Sequence, residues 1–279
     1  AEQFPAKRGE RISLFSSITA IGRGIAPFLG GYVLFLTQYS YHTLYLIVGV
    51  AGVTAFLTAL LFSTERKCLA LQPEKSTSTT KLMLRGWGNI VSRDALLVSL
   101  VHASQYYSFG AVEYFLVGYL KEVISLDASL IGMIMGAQVI AIILVKPLMG
   151  RISDRLGRRI PIVTGSLISG LPLLIIPFVA DFQLLLILSA AYGFGFATVT
   201  ASTPASISEL VPKELVGTSM GFLGTTMDVG QTLGPIISGF IFAAGLQYGG
   251  LFSALTFVLL LSCAVFVLFY VGNKQTTSL

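Results

Sequence analysis

The chain has 279 residues, of which 54% are hydrophobic and only 11% charged, with a formal net charge of +5. Soluble domains carry roughly 25% charged residues, so this composition, with a mean hydropathy of +0.82, excludes a water-soluble globular protein. Two cysteines, Cys68 and Cys263, lie far apart in an intracellular-type pattern without CxxC pairs, which excludes a disulfide framework or a cysteine metal site.

Apolar runs of the ~20 residues needed to cross a bilayer recur along the chain, near 14–36, 43–62, 95–119, 129–149, 160–180, 182–204, 216–244 and 249–271. These unbroken runs predict an all-α polytopic membrane protein with eight transmembrane helices, because a membrane barrel shows alternating segments of ~10 residues instead. The opening "AEQFPAKRGERIS" is polar and leads directly into the first span, unlike a signal peptide. Between the second and third spans, residues 63–94 are rich in Ser, Thr and Lys and read as a connector; "KLMLRGWGNIV" at its end has Trp87 at a position suited to the headgroups. The division is therefore 1–62, a connector 63–94, a six-span unit 95–272 and a tail 273–279.

If residues 1–12 are cytoplasmic, sixteen of the eighteen basic residues fall on cytoplasmic segments or span ends, Lys146 included, against Lys121 alone on the other side and Arg23 within a span. That bias predicts a plasma-membrane orientation with both ends of the chain cytoplasmic. The positive charge thus reports topology and calls for no nucleic acid partner; the bilayer is the partner it implies.

An internal repeat relates two spans. "EQFPAKRGERISLFSSITAIGRGIAPFLGG" and "ELVPKELVGTSMGFLGTTMDVGQTLGPIISG" share Glu-x-x-Pro at their starts and then place Gly9, Gly22, Pro27 and Gly31 opposite Gly217, Gly230, Pro235 and Gly239 at an offset of 208. Four spans precede the second copy in its half and none precede the first. Equal halves would require about 115 further residues before Ala1, so the chain reads as the C-terminal two-thirds of a twelve-span protein whose missing N-terminal helices are its partners. Gly22, Ala26, Gly30 and Gly31, with Gly230, Gly234 and Gly239, are candidates for close helix packing, and Pro27 and Pro235 for bending or stiffening their helices.

The stretch "MGRISDRLGRR", 149–159, gathers four arginines and one aspartate between two spans. Gly150 and Gly157 permit a tight turn. Asp154 offers acceptors to Arg155, Arg158 and Arg159, and such a cluster can latch one conformation through several charge-assisted contacts, beyond anchoring the turn at an anionic leaflet. Gly-x-x-x-Asp-Arg-x-Gly-Arg-Arg here resembles the signature loop of the major facilitator superfamily, and "APFLGG" and "GPIISG" resemble elements of that family's fifth and eleventh helices, including a Gly-Pro motif of antiporters. Ala26 stands where the family usually has glycine. The resemblance covers helices five to twelve and implies two pseudo-symmetric bundles, alternating access about a central cavity, and docking of Asp154 at the start of the fifth helix, near residues 12–15.

Ionisable groups at membrane depth mark function by default. Arg23 and Asp228 lie midway along related spans and are candidates to line one cavity or to pair as a structural bridge. Glu113 lies nearer the outer end of its span, as a proton carrier or a group reaching the interface. His102, Gln105, Tyr106 and Tyr107 share that span, with Gln138 on the next; polar groups among aromatics suit a small-molecule site, the alternative being hydrogen-bonded packing. A GxSxG match at 217–221 has no preceding strand, and there is neither a phosphate loop nor a cluster of metal ligands, so no catalytic residue, cofactor or metal is expected. The expected function is a secondary transporter of small organic molecules, proton-coupled and exporting as the Gly-Pro resemblance implies; the alternatives are a nutrient uptake carrier of the same fold, or a non-transporting sensor or truncated relic.

Overall fold

The computed structural model describes residues 33, 41–62, 92–212 and 215–270. The first span of the sequence reading apart from Val33, most of the connector and the tail lie outside these residues. Those described form two units. In one of them, α1 (Tyr41–Phe62) is an apolar helix exposed along its length. Two of its threonine hydroxyls are satisfied within the helix: Thr54 Oγ1 donates to the Val50 carbonyl at 2.6 Å and Thr58 Oγ1 to that of Ala55 at 2.8 Å. That is how a polar side chain is tolerated in hydrocarbon.

The other unit holds six helices: α2 (Arg93–Glu122), α3 (Ala128–Leu156), α4 (Arg159–Ile175), α5 (Phe182–Leu210), α6 (Val216–Ile241) and α7 (Gln247–Phe269). No strand occurs among the described residues. Each boundary has a local cause. Ser92 caps α2 by accepting from the Ala95 amide, and Asp181 caps α5 by accepting from that of Leu184 at 2.9 Å. Gly157, at φ 82°, ends α3 where an L side chain would be strained, and Gly245, at φ 87°, turns the chain between α6 and α7. Gly150 is buried inside α3, so the sharp turn of the arginine-rich stretch rests on Gly157 alone and residues 149–156 are the last two turns of a helix. The short connections reverse the chain each time, as in an antiparallel bundle.

Four helical stretches of this unit are long and apolar enough to cross a membrane: Ser129–Leu156, Arg159–Phe178, Phe182–Leu210 and Val216–Phe269, the last comprising α6 and α7. Helix α2 has 30 residues, about 45 Å, and is less apolar than these because it carries His102, Gln105, Glu113 and three serines. The outer faces of the bundle expose Leu144, Leu171, Phe178, Ile187, Phe240, Phe257 and Leu268. Such a surface would aggregate in water and is what lipid requires. The protein is a multi-pass membrane protein.

Helix α5 is the most enclosed element, packed on α3 and α4, while α2 pairs chiefly with α6. The row of hydroxyls on α5 that looks polar in sequence is largely internal bookkeeping: Thr198, Thr200 and Ser202 donate to carbonyls four residues back at 2.8, 2.8 and 2.9 Å. Glycines set the closest crossings. A Cβ on Gly193 would collide with the Gln138 carbonyl of α3, and one on Gly195 would meet the Ser169 amide and, at 2.7 Å, the Gly165 carbonyl of α4. Between α2 and α6 three such sites alternate: Gly110 against Gln231, Gly230 against Ala103 and Gly234 against Tyr107, each backbone to backbone. Small residues that let helices touch this closely supply packing where lipid offers no hydrophobic drive.

Candidate functional site

The arginine-rich end is organised by one residue. Arg158, the N-cap of α4, reaches Asp154 at 2.7 Å and Glu209, in the last turn of α5, at 2.6 Å, and donates to Ser153 Oγ at 2.9 Å. Its side chain is only 10% exposed. Burial works against its charge, but the hydrogen bonds and negative charges of Glu209 and then Asp154 prevail and raise its pKa. Arg159 donates to the Val267 carbonyl near the end of α7 at 3.0 Å. Three helices are thus tied to α4 by two arginines. Arg155 is exposed. The expected docking of Asp154 at residues 12–15 lies outside the described residues. Glu209 escaped the sequence reading as a site residue, although its signal was present: it is the Glu of the repeated Glu-x-x-Pro.

A second constellation forms where α2 crosses α6. Glu113 and Asp228 are both exposed on the bundle. Gln231 Nε2 donates to Glu113 Oε2 at 3.5 Å, and Asp228 precedes Gln231 by one helical turn on the same face of α6. Glu113 thus meets the Gln231 amide, and Asp228, 115 positions from Glu113 in the chain, stands one turn away on that face of α6. Arg23, the other candidate at this depth, lies outside the described residues, as do Gly22, Ala26, Pro27, Gly30 and Gly31. Gly230 and Gly234 make the close crossing described above, Pro235 follows within α6, and Gly239 has no described atom within 4 Å of its ideal Cβ.

The third is buried. His102 Nδ1 lies 2.6 Å from Thr203 Oγ1 of α5, and its ring sits 4.9 Å from that of Tyr106. Gln105 turns the other way and donates to Ser169 Oγ of α4 at 3.1 Å. Tyr192 donates to Ser108 at 3.3 Å. The polar face of α2 is thus split between partners on α4 and α5, and His102 and Gln105 belong to separate clusters. Tyr106, Phe109 and Phe196 form an aromatic group: Phe109 stacks on Phe196 at 4.6 Å and Tyr106 meets Phe196 edge-on at 5.1 Å.

Lys146 completes this group and corrects the sequence reading, which put it at a cytoplasmic span end. It is 6% exposed, and its Nζ lies 6.0 Å from the centroid of the Phe196 ring. The cause is the length of α3, which continues ten residues past Lys146 to Leu156, about 15 Å of helix. Thr203, Ser169 and Phe196 were not legible as site residues, since hydroxyls and phenylalanines are scattered throughout these helices.

The family model of the Major Facilitator Superfamily matches residues 1–119 and 98–278. Among curated proteins, the chain is 33% identical over 98 residues to the multi-drug resistance efflux pump PmrA homolog of Lactococcus lactis, covering 35% of this chain and 24% of that protein. It is 24% identical over 169 residues to the riboflavin transporter RibZ of Clostridioides difficile, covering 59% and 37%. It is 30% identical over 110 residues to the multi-drug resistance efflux pump PmrA of Streptococcus pneumoniae, covering 39% and 27%. The matches thus span between about a quarter and two-fifths of the relatives' length.

Proposed function

The chain belongs to the major facilitator superfamily, and on that premise we propose that it is a secondary active transporter exporting small organic molecules in exchange for protons by alternating access. In this reading the six-helix unit is the C-terminal bundle of a twelve-helix fold, α1 belongs to the other bundle, and both ends of the chain are cytoplasmic. The observation that carries it is the row Glu113–Gln231–Asp228. Ionisable residues within membrane helices face a bundle interface or a water-filled cavity, and the exposed carboxylates on α2 and α6 support that face as the cavity wall. Either carboxylate can take up a proton from such a cavity and release it, and neutralising Glu113 changes what the Gln231 amide pairs with. Arg158 with Asp154 and Glu209 then holds the cytoplasmic end of the bundle in one of its two arrangements and is released in the other. Efflux is favoured over uptake by the Gly-Pro element of α6 and the names of two relatives; uptake by a carrier of the same fold is the second reading.

The test uses the full chain in everted membrane vesicles, with a pH-sensitive dye reporting proton movement when riboflavin or ethidium is added. Compound-dependent proton release that Glu113→Gln or Asp228→Asn lowers at least about ten-fold, the scale of losing a proton-transfer group, supports the reading. Flux of either compound that ignores the pH gradient in the native protein would overturn proton coupling, and uptake into right-side-out vesicles would reverse the direction.

A further inference from the structure

The end of α7 is held by two arginines from different helices. Arg93, the first residue of α2, places its guanidinium carbon 5.1 Å from the centroid of the Phe269 ring. Arg159, the first residue of α4, donates to the Val267 carbonyl at 3.0 Å. Both contacts are with neutral groups, and both arginines are exposed. Among the described residues neither is ion-paired: Asp154 and Glu209 are taken by Arg158, and half-buried Asp94 has an interaction of its own. Cations at a helix C-terminus complement its macrodipole, which accounts for the carbonyl contact of Arg159. It leaves most of the guanidinium donors unused. Arg159 commits one to Val267, and Arg93 meets only a ring face.

The surface beside these arginines is apolar and open. Helix α7 packs on α4 and α2, so its free face is flanked by the two helices that supply the arginines. Along that face Phe257, Leu261 and Leu268 follow one another at steps of four and seven residues, all exposed, Leu268 by 75%. They span about 16 Å of helix axis, close to the half of a ~30 Å hydrocarbon core that one leaflet supplies. Leu96 and Leu100 follow Arg93 along α2 at one and two turns, Ile160 follows Arg159 on α4, and all three are exposed. Two cations at the head of an apolar track one leaflet deep match a phospholipid in charge and in shape. Arginine takes phosphate oxygens through paired N–H bonds, whereas a choline group at the same place would be repelled. We infer that the end of α7 between Arg93 and Arg159 is a docking surface for an anionic phospholipid, with its phosphate on the guanidiniums and an acyl chain along Phe257, Leu261 and Leu268. The inference is independent of the transport reading, since it needs neither flux nor the carboxylates of α2 and α6.

The test is equilibrium binding of radiolabelled phosphatidylglycerol to the full chain in detergent micelles, with phosphatidylcholine of the same acyl chains as the control. The native protein is expected to bind phosphatidylglycerol saturably and about ten-fold or more tighter than phosphatidylcholine, the scale of one charge-assisted contact. Arg93→Gln combined with Arg159→Gln is expected to bind the two lipids alike. Arg155→Gln, which removes one exposed charge from the end of α3, is expected to keep the preference. Equal affinities in the native protein, a preference that survives the double substitution, or one that Arg155→Gln abolishes as fully would overturn the assignment. Should the double variant bind neither lipid, Arg93→Lys combined with Arg159→Lys decides: a restored preference for phosphatidylglycerol supports the docking surface, and its absence overturns it. Displacement of phosphatidylglycerol by millimolar inorganic phosphate would mark a site for free anions and overturn the lipid assignment.

Discussion

Gly230, Gly234 and Gly239 look alike as a small-residue stripe in sequence, and substituting two of them separates packing from pattern. A Cβ on Gly234 would fall inside contact distance of the Tyr107 carbonyl oxygen, 3.0 Å from its carbon and 3.2 Å from the Ala111 amide. All of these are backbone atoms of α2, so no rotamer relieves the clash and the two helices must move apart. A radial gap of about 0.5–1 Å already forfeits a quarter to a half of each contact's attraction, and Gly230 and Gly110 lose theirs at the same crossing. Overpacking of this kind costs about 1–3 kcal/mol. Alanine gains about 1 kcal/mol of helix propensity over glycine in either position, and Gly239→Ala meets no described atom to oppose it. The two variants therefore differ by the clash, about 2 kcal/mol, or roughly 4–8 °C in Tm for a domain of this size. Thermal unfolding in detergent can be followed with a thiol-reactive fluorophore on Cys263, which is buried, in a Cys68→Ser background. Gly234→Ala melting within a degree or so of Gly239→Ala would refute the close crossing of α2 and α6.

Two further outcomes concern the arginine-rich end. Gly157→Ala places a side chain at φ 82° and ψ 165°, a region nearly confined to glycine; with no described atom within 4 Å of the new Cβ, backbone strain alone predicts a loss of about 1–3 kcal/mol, read by the same unfolding assay. Arg158→Gln removes contacts to Asp154, Glu209 and Ser153 together and is expected to destabilise by about 1.5–3 kcal/mol and to slow flux; Arg158→Lys should fare little better, since one ammonium does not span three partners. At matched membrane levels, Asp154→Asn should lower flux more than Arg151→Gln, because Asp154 pairs with the hub arginine; equal losses would place the effect in net charge rather than in that contact.

The helical class and the order of its elements were legible because hydropathy and length act locally: seven of the eight apolar runs coincide with described helices, and the eighth, but for Val33, lies outside the described residues. The arginine cluster was legible as a cluster, because four arginines in an apolar chain need a reason. Its arrangement was not. The sequence reading made Asp154 the centre and counted two glycines into a loop, whereas the hub is Arg158 and Gly150 lies within α3. A salt bridge to Glu209 crosses fifty-one positions of chain, and nothing in local spacing reveals it; only the repeat, which places a glutamate at the head of each copy, singled that residue out. The same limit applies to His102 and Gln105. Three positions apart, they share a helix face in projection, yet their partners are on different helices, and only the packing of α4 and α5 decides this.

Depth explains the remaining discrepancy, and it bears on function. The apolar run ends at Met149, three residues past Lys146, so a reading by runs of ~20 residues places the lysine at the membrane boundary. The helix itself ends ten residues past Lys146, at Leu156. What looks like an anchoring lysine at an interface is instead enclosed between α3, α5 and the aromatic residues of α2. A real boundary lysine reaches water by snorkelling; Lys146 remains 6% exposed, with its Nζ over the Phe196 ring. Lys146 has interactions within the bundle, the Phe196 face among them, and a desolvated cation over an aromatic face contributes about 2 kcal/mol. Lys146→Met is thus expected to melt below the native protein, and unfolding at or above the native Tm would show that the buried charge is not retained for the fold.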